Sequence, residues 1–191
     1  MQVNVAFRHM DASPAIQHYA SEKLQHVVSK YVQGEDVDSQ ITFSVEKFWH
    51  IANFTINING LTLKCIEKSE DMYSSVDLAL EKIDRQVRRY KSRIRKHRPD
   101  NRQRNFTMHV VAPVEAEAEA DEPQREEEPV QTLKREVFTA PFMNVDQAIM
   151  QLELRSSQFF VFTHEESERI NIVYRRDDGN FGLIEAEPQH H

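Results

Sequence analysis

A single cysteine, Cys65, excludes an intrachain disulfide and leaves no thiolate cluster for zinc. It lies in a strand-like run, where a buried, inert thiol is expected. Glycine is nearly as scarce. The four glycines, at positions 34, 60, 179 and 182, each fall at or beside a turn, so no glycine-rich phosphate loop can be drawn. No apolar run is long enough to span a bilayer. The first eight residues alternate like a strand, with no basic leader before an apolar segment. No secretory signal is therefore expected, and the expected location is the cytoplasm. Catalytic patterns are also missing. His18, Glu22 and His26 share one face of a helix, but an exposed polar face explains them better than a metal site. No Ser/His/Asp or Cys/His arrangement can be argued from separations alone. The expectation is a protein that is not an enzyme and needs no metal or cofactor.

What is present is charge, unevenly divided. The net charge of -7 conceals two opposite halves. Residues 1–104 hold 17 Lys/Arg against 13 Asp/Glu, and residues 105–191 hold 7 against 18. Within 85–104 there are 10 basic residues and one acid. A helix end gains from one or two cations in its last turn, and this run far exceeds that need. Such a segment repels itself unless an anion is present, so it reads as a polyanion binder.

The basic run sits on a helix. Tyr73, Val76, Leu80, Ile83, Val87, Tyr90 and Ile94 recur at steps of three and four, one apolar stripe over about residues 70–97. That helix would be roughly 40 Å long, pinned along one edge, with its second half basic on every exposed side. It lacks large apolar residues on a second face, which argues against insertion into a membrane.

Upstream, Val3, Val5 and Phe7 alternate in a first strand. Ser13-Pro14 starts a helix over about 14–32, serine as N-cap and proline at the first helical position, with Gly34 as its stop. Ile41, Phe43 and Val45, then Ala52, Phe54, Ile56 and Ile58, then Leu61, Leu63 and Cys65 alternate in three further strands. Phe48 and Trp49 lie on the bend between the first two of these, where they could either pack or stack. Asn59-Gly60 marks a tight hairpin. The order β-α-β-β-β-α, with one face of every strand apolar, predicts an α+β two-layer sandwich. Its α-β-β-β-α portion has the order of double-stranded RNA-binding domains, which read shape and phosphates.

Residues 113–130 hold eight acids, one arginine, three prolines and no aromatic residue, the composition of a disordered acidic linker. Beyond it, a strand at 135–139, an N-cap at Asn144 with Gln147 completing a capping box, and strands at Phe159, Ile170 and Phe181 predict a small β-α-β-β-β unit. The expected division is 1–104, a linker at 105–132, and a second domain at 133–187. Phe159, Phe160 and Phe162 put rings on both faces of one strand, more than so thin a unit can bury, which suggests a homodimerising module. His190 and His191 resemble the stub of a purification tag.

Two groups of residues carry a resemblance. Asp71-Met-Tyr-Ser-Ser-Val-Asp77, behind a strand meander with Asn59-Gly60 and ahead of the basic helix, resembles the core motif of the ribosome hibernation factor family. Phe159-Phe-Val-Phe-Thr163, Asn171 to Gly179 and Gly182-Leu-Ile-Glu185 look like the C-terminal domain of its long form. The resemblance covers about 1–98 and 133–186. It implies that the N-terminal domain lodges in the small ribosomal subunit, across the mRNA channel and tRNA sites, and that the C-terminal domain pairs with a copy on another ribosome. On this resemblance the rRNA contacts fall on Lys82, Arg85, Arg88, Arg89, Lys91, Arg93, Arg95 and Lys96, with Lys23 and Lys30 as weaker candidates. The dimer interface falls on Phe159, Phe160, Phe162, Ile172 and Tyr174. The alternative is a general double-stranded-RNA-binding protein or RNA chaperone with a dimerising tail.

Overall fold

The computed structural model describes residues 1–32, 37–97, 100, 102–111 and 132–186. Six elements build the first unit: β1 (Gln2–Arg8), α1 (Pro14–Ser29), β2 (Val37–Glu46), β3 (Trp49–Ile58), β4 (Leu61–Ser69) and α2 (Met72–Lys96). The strands form one sheet in the order β1-β2-β3-β4. β1 runs parallel to β2 because α1 carries the chain back across the sheet, whereas β2, β3 and β4 follow one another through tight antiparallel turns. Asn59 and Gly60 both take positive φ, 50° and 76°, as the hairpin requires. The Asn59 side-chain amide also donates to the carbonyl of Ile94 at 3.2 Å, tying this turn to the end of α2.

Alternation decides which face is buried. Ile41, Phe43, Ala52, Phe54, Ile56, Leu63 and Cys65 point to one side, where α1 and α2 cover them in a single core. The other side carries a polar ladder with Thr42 opposite Asn53 and Thr55 opposite Lys64. Ser13 caps α1 by accepting from the Ile16 amide, and Asp71 caps α2 by accepting from the Ser74 amide at 2.8 Å. That bond, the largest cause, holds the Asp71 carboxyl below the usual carboxylate range. α1 stops at Ser29 with Lys30 as its C-cap, a little short of the expected end; the proposed stop at Gly34 lies outside the described residues. One member of the apolar stripe is corrected. Tyr73 is 40% exposed, packed edge-on against Tyr19 at 4.9 Å, and Met72 fills the buried position instead.

The second unit contains β5 (Gln103–Val111), β6 (Thr132–Met143), α3 (Val145–Leu154), β7 (Phe159–His164), β8 (Ile170–Arg175) and β9 (Phe181–Glu185). Their sheet order follows the chain, with β6 parallel to β7 around α3 and the other pairs antiparallel. The expected division needs correction at one boundary. Residues 103–111 belong neither to the first unit nor to a linker, because β5 pairs with β6 from Gln103↔Pro141 onwards. The acid-rich residues 113–130 and the pair His190–His191 lie outside the described residues. Asn144 and Gln147 form the predicted capping box, with bonds of 3.0 and 3.1 Å. Gly182 lets the Tyr174 ring lie directly against its backbone, where a Cβ would force the ring to move.

Ile83 is fully buried at the middle of the α2 stripe. Ile83→Ala should lower unfolding free energy by about 2–5 kcal/mol, read as a lower denaturant midpoint with an unchanged slope.

Candidate nucleic-acid interface

The same spacing that buries one edge of α2 leaves its cations outside. Met72, Val76, Ala79, Leu80, Ile83, Val87, Tyr90 and Ile94 are buried, and the Lys and Arg residues between them are exposed or half-exposed. The first half of the helix is nearly neutralised from within. Asp77 binds Lys23 at 2.8 Å, Glu81 binds Arg85 at 3.1 Å, and Asp84 accepts from the Tyr31 hydroxyl at 3.1 Å. The second half has no acid of its own, and Arg93, Arg95 and Lys96 occupy its last turn. Positive potential therefore rises toward the C-terminal end, where the helix dipole favours cations.

The ten candidate cations are not equivalent. Lys82 is held by Glu67 at 2.9 Å, and Lys23 by Asp77 together with the Tyr19 hydroxyl at 2.6 Å. Their acid partners are the largest cause of the raised pKa of both. These two are half-exposed but already engaged by acids of the same chain. Arg85 has only an exposed helical neighbour, worth little in water. Lys30 is exposed at the end of α1, beside a groove between the two helices. Lys91 lies over the Tyr31 ring at 5.6 Å, and Arg88 and Arg95 follow the same spiral. Arg88, Lys91, Arg93, Arg95 and Lys96 are exposed and make no ion pair with an acid among the described residues. Arg89 stands apart: it pairs with Glu153 of α3 at 3.3 Å. The basic run is also divided. Arg102 and Arg104 belong to the second unit, where both reach Glu168 and Arg102 covers the Phe142 ring.

Elsewhere the chemistry is quiet. Cys65 is buried, and desolvation, the largest cause, pushes its thiol up to about 11. His18 and Glu22 meet at 3.3 Å on an exposed helix face. Among the described residues no group of three or more His, Cys, Asp and Glu is placed to hold a metal, and no helix is long and apolar enough to cross a membrane. Phe48 and Trp49 do pack, but on each other, with ring centroids 4.9 Å apart and Lys68 over the Trp49 ring.

The expected dimer set splits in two. Phe160 and Phe162, 5% and 0% exposed, face α3 with Met143, Ala148, Leu152 and Val173, so they are core residues of the second unit rather than part of its open face. Alternation puts Phe159 on the opposite face, 61% exposed, with Tyr174 across from it. Ile172 lies on that face between Val161 and Ile184. Val161 and Ile184 were missed, although their alternation with Phe160, Phe162 and Leu183 was available as a signal.

A helix-covered sandwich with a cation-lined outer helix, followed by a small unit with an open apolar sheet face, is a binding protein built in two parts. The residues of both parts match family profiles: 3–95 match the sigma 54 modulation protein / S30EA ribosomal protein, and 127–183 match the sigma 54 modulation/S30EA ribosomal protein C terminus. The chain belongs to this family. It is 26% identical over 189 residues to the ribosome hibernation promotion factor of Bacillus subtilis (strain 168), covering 97% of this chain and 98% of that protein. Two solved structures are also similar. The Thermus thermophilus Protein Y N-terminal domain is 22% identical with a TM-score of 0.44, covering 47% of this chain and 99% of its own. A ribosomal subunit interface protein from Coxiella burnetii is 26% identical with a TM-score of 0.42, covering 48% and 99% respectively.

The raised Cys65 pKa gives a direct check. At pH 8 the thiol should remain protonated and unreactive toward an aromatic disulfide reagent in the native protein, and should react fully once denaturant is added.

Proposed function

We propose that this protein is a ribosome hibernation factor that holds ribosomes silent by occupancy. Its first unit binds the small subunit in the mRNA and tRNA channel, and its second joins two ribosomes by pairing with another copy. The observation that carries the reading is the second half of α2, where Arg88, Lys91, Arg93, Arg95 and Lys96 stand exposed on a rigid helix anchored to the core. Cations so placed contact phosphates and set position without reading sequence, as a wedge in structured RNA requires. The end-to-end similarity to a protein named ribosome hibernation promotion factor supports the same reading. The first unit acts by excluding tRNA and mRNA, so no bond is made or broken. In the second unit, Phe159, Val161, Ile172, Tyr174 and Ile184 form the apolar face for a two-fold partner.

Two experiments test the two halves separately. Charge reversal at Arg88, Arg93 and Arg95 should abolish co-sedimentation with small subunits while leaving the circular dichroism spectrum unchanged. Each lost phosphate contact should also reduce the log–log salt slope of binding by roughly 0.7–0.9. Unaltered co-sedimentation would remove α2 from the interface. Replacing Ile172 and Ile184 by Asp should leave translation inhibition intact but eliminate ribosome dimers from a sucrose gradient. Persistence of those dimers would mean that the apolar face does another job. Comparable affinity for ribosome-free duplex RNA would favour the general double-stranded-RNA-binding alternative.

A further inference from the structure

α3 is buried on two opposite faces. Ala148 and Leu152, four apart, enter the core of the second unit. Met150 and Leu154, also four apart, enter the core of the first and are 2% and 1% exposed. One helix thus fastens the second unit onto β4 and α2. Polar contacts surround this seam. Gln151 Oε1 accepts from the Thr62 amide, and the Arg155 guanidinium donates to both Gln151 and the Thr62 hydroxyl. Gln86 of α2 donates to the carbonyl of Glu153, and Arg89 pairs with the Glu153 carboxylate.

The seam is poorly satisfied for a permanent one. Gln86 Oε1 and Gln151 Nε2 are buried there without a partner, contrary to the general rule for buried polar atoms. Arg155 is largely buried with no ion pair to an acid among the described residues, and desolvation lowers its pKa. A buried cation without a counter-ion weakens whatever interface holds it. The fastened helix also occupies valuable ground. It takes Arg89 out of the basic face, and its N-terminal end, with Asn144, Asp146 and Met150, lines a cleft whose other wall is Arg93, Lys96 and His97.

We propose that α3 is a removable clasp, which competes with RNA phosphates for the Arg89–Arg93–Lys96 flank of α2. In the free chain Glu153 and Asp146 stand where phosphates would stand; on RNA binding the seam opens and releases the second unit. This rests on the reading of α2 as an rRNA-binding helix, and the test separates the two.

The full chain, a Met150→Ser/Leu154→Ser variant and an Arg155→Met variant are titrated against purified small ribosomal subunits. Hydrogen exchange on each free protein follows the Thr62 amide and residues 148–155. The serine variant should exchange faster at the seam while β7 and β8 stay protected, and should bind more tightly, by roughly tenfold where nine chains in ten are closed. Arg155→Met, which removes the buried charge, should exchange more slowly and bind more weakly. Equal affinities for all three proteins, with the exchange differences present, would overturn the competition alone. Binding by none of them would overturn the reading of α2 and the competition with it. Unchanged exchange at the seam in the serine variant would show that no clasp exists to be opened.

Discussion

The structure depends on one constraint: α2 can bury only a single edge. Its apolar residues recur every three or four positions, so the helix must lie along the sheet with one stripe inward from Met72 to Ile94. Every other property of the helix follows from that orientation. The residues between the stripe positions have no core to enter, and in the last three turns nearly all of them are cationic. A helix packed in this way cannot roll to hide its charges without exposing Val76, Ile83 and Val87. Burial of the stripe therefore holds the positive face in place, and the energy of the core is what presents it to a ligand.

Charge within the first unit is sorted along the same axis. Asp77, Glu81 and Asp84 lie in the first half of α2 and find their partners on α1 or one turn away. Their effect is to neutralise Lys23 and Arg85 locally and to leave the far end unopposed. Lys82 is consumed by Glu67 in the same way. Exposed pairs of this kind contribute little to stability. Their larger consequence is to narrow the polyanion surface from a whole helix to its C-terminal half, next to the turn that Asn59 fixes to Ile94.

Periodicity made the first unit legible before any coordinates. The order β-α-β-β-β-α, the Ser13 cap, the Asn59-Gly60 turn and the buried Cys65 all follow from local spacing, and local spacing is what strands and helices obey. What escaped depends on distant partners. Gln103–Val111 is a strand only because Thr132–Met143 lies beside it, more than twenty residues along the chain, and the acidic run between them masks the relation. Phe160 and Phe162 looked like surplus apolar residues until α3 was seen to cover them. The loss of Lys23 and Lys82 from the free cations likewise required knowing which acid stood opposite. Tyr73 kept the helical period but met Tyr19 at the rim of the core, where a ring with a polar end settles well.

The second unit shows why a small domain can be useful because it is incomplete. Its own core contains only a few fully buried side chains, and both of its layers present apolar surface outward: Met150 and Leu154 from α3, and Phe159, Val161, Ile172 and Ile184 from the sheet. A unit of this size has little stability to spare, so each outward surface it covers matters. The first unit covers the helix side. Among the described residues no element packs on the sheet side, which is the face a second copy would fill. The two surfaces lie on opposite sides of one thin layer, so ordering either one stiffens the residues that support the other. Releasing the helix side on RNA would thus remove that stiffening, so the freed unit would depend on covering its sheet side for the order that the first unit had supplied.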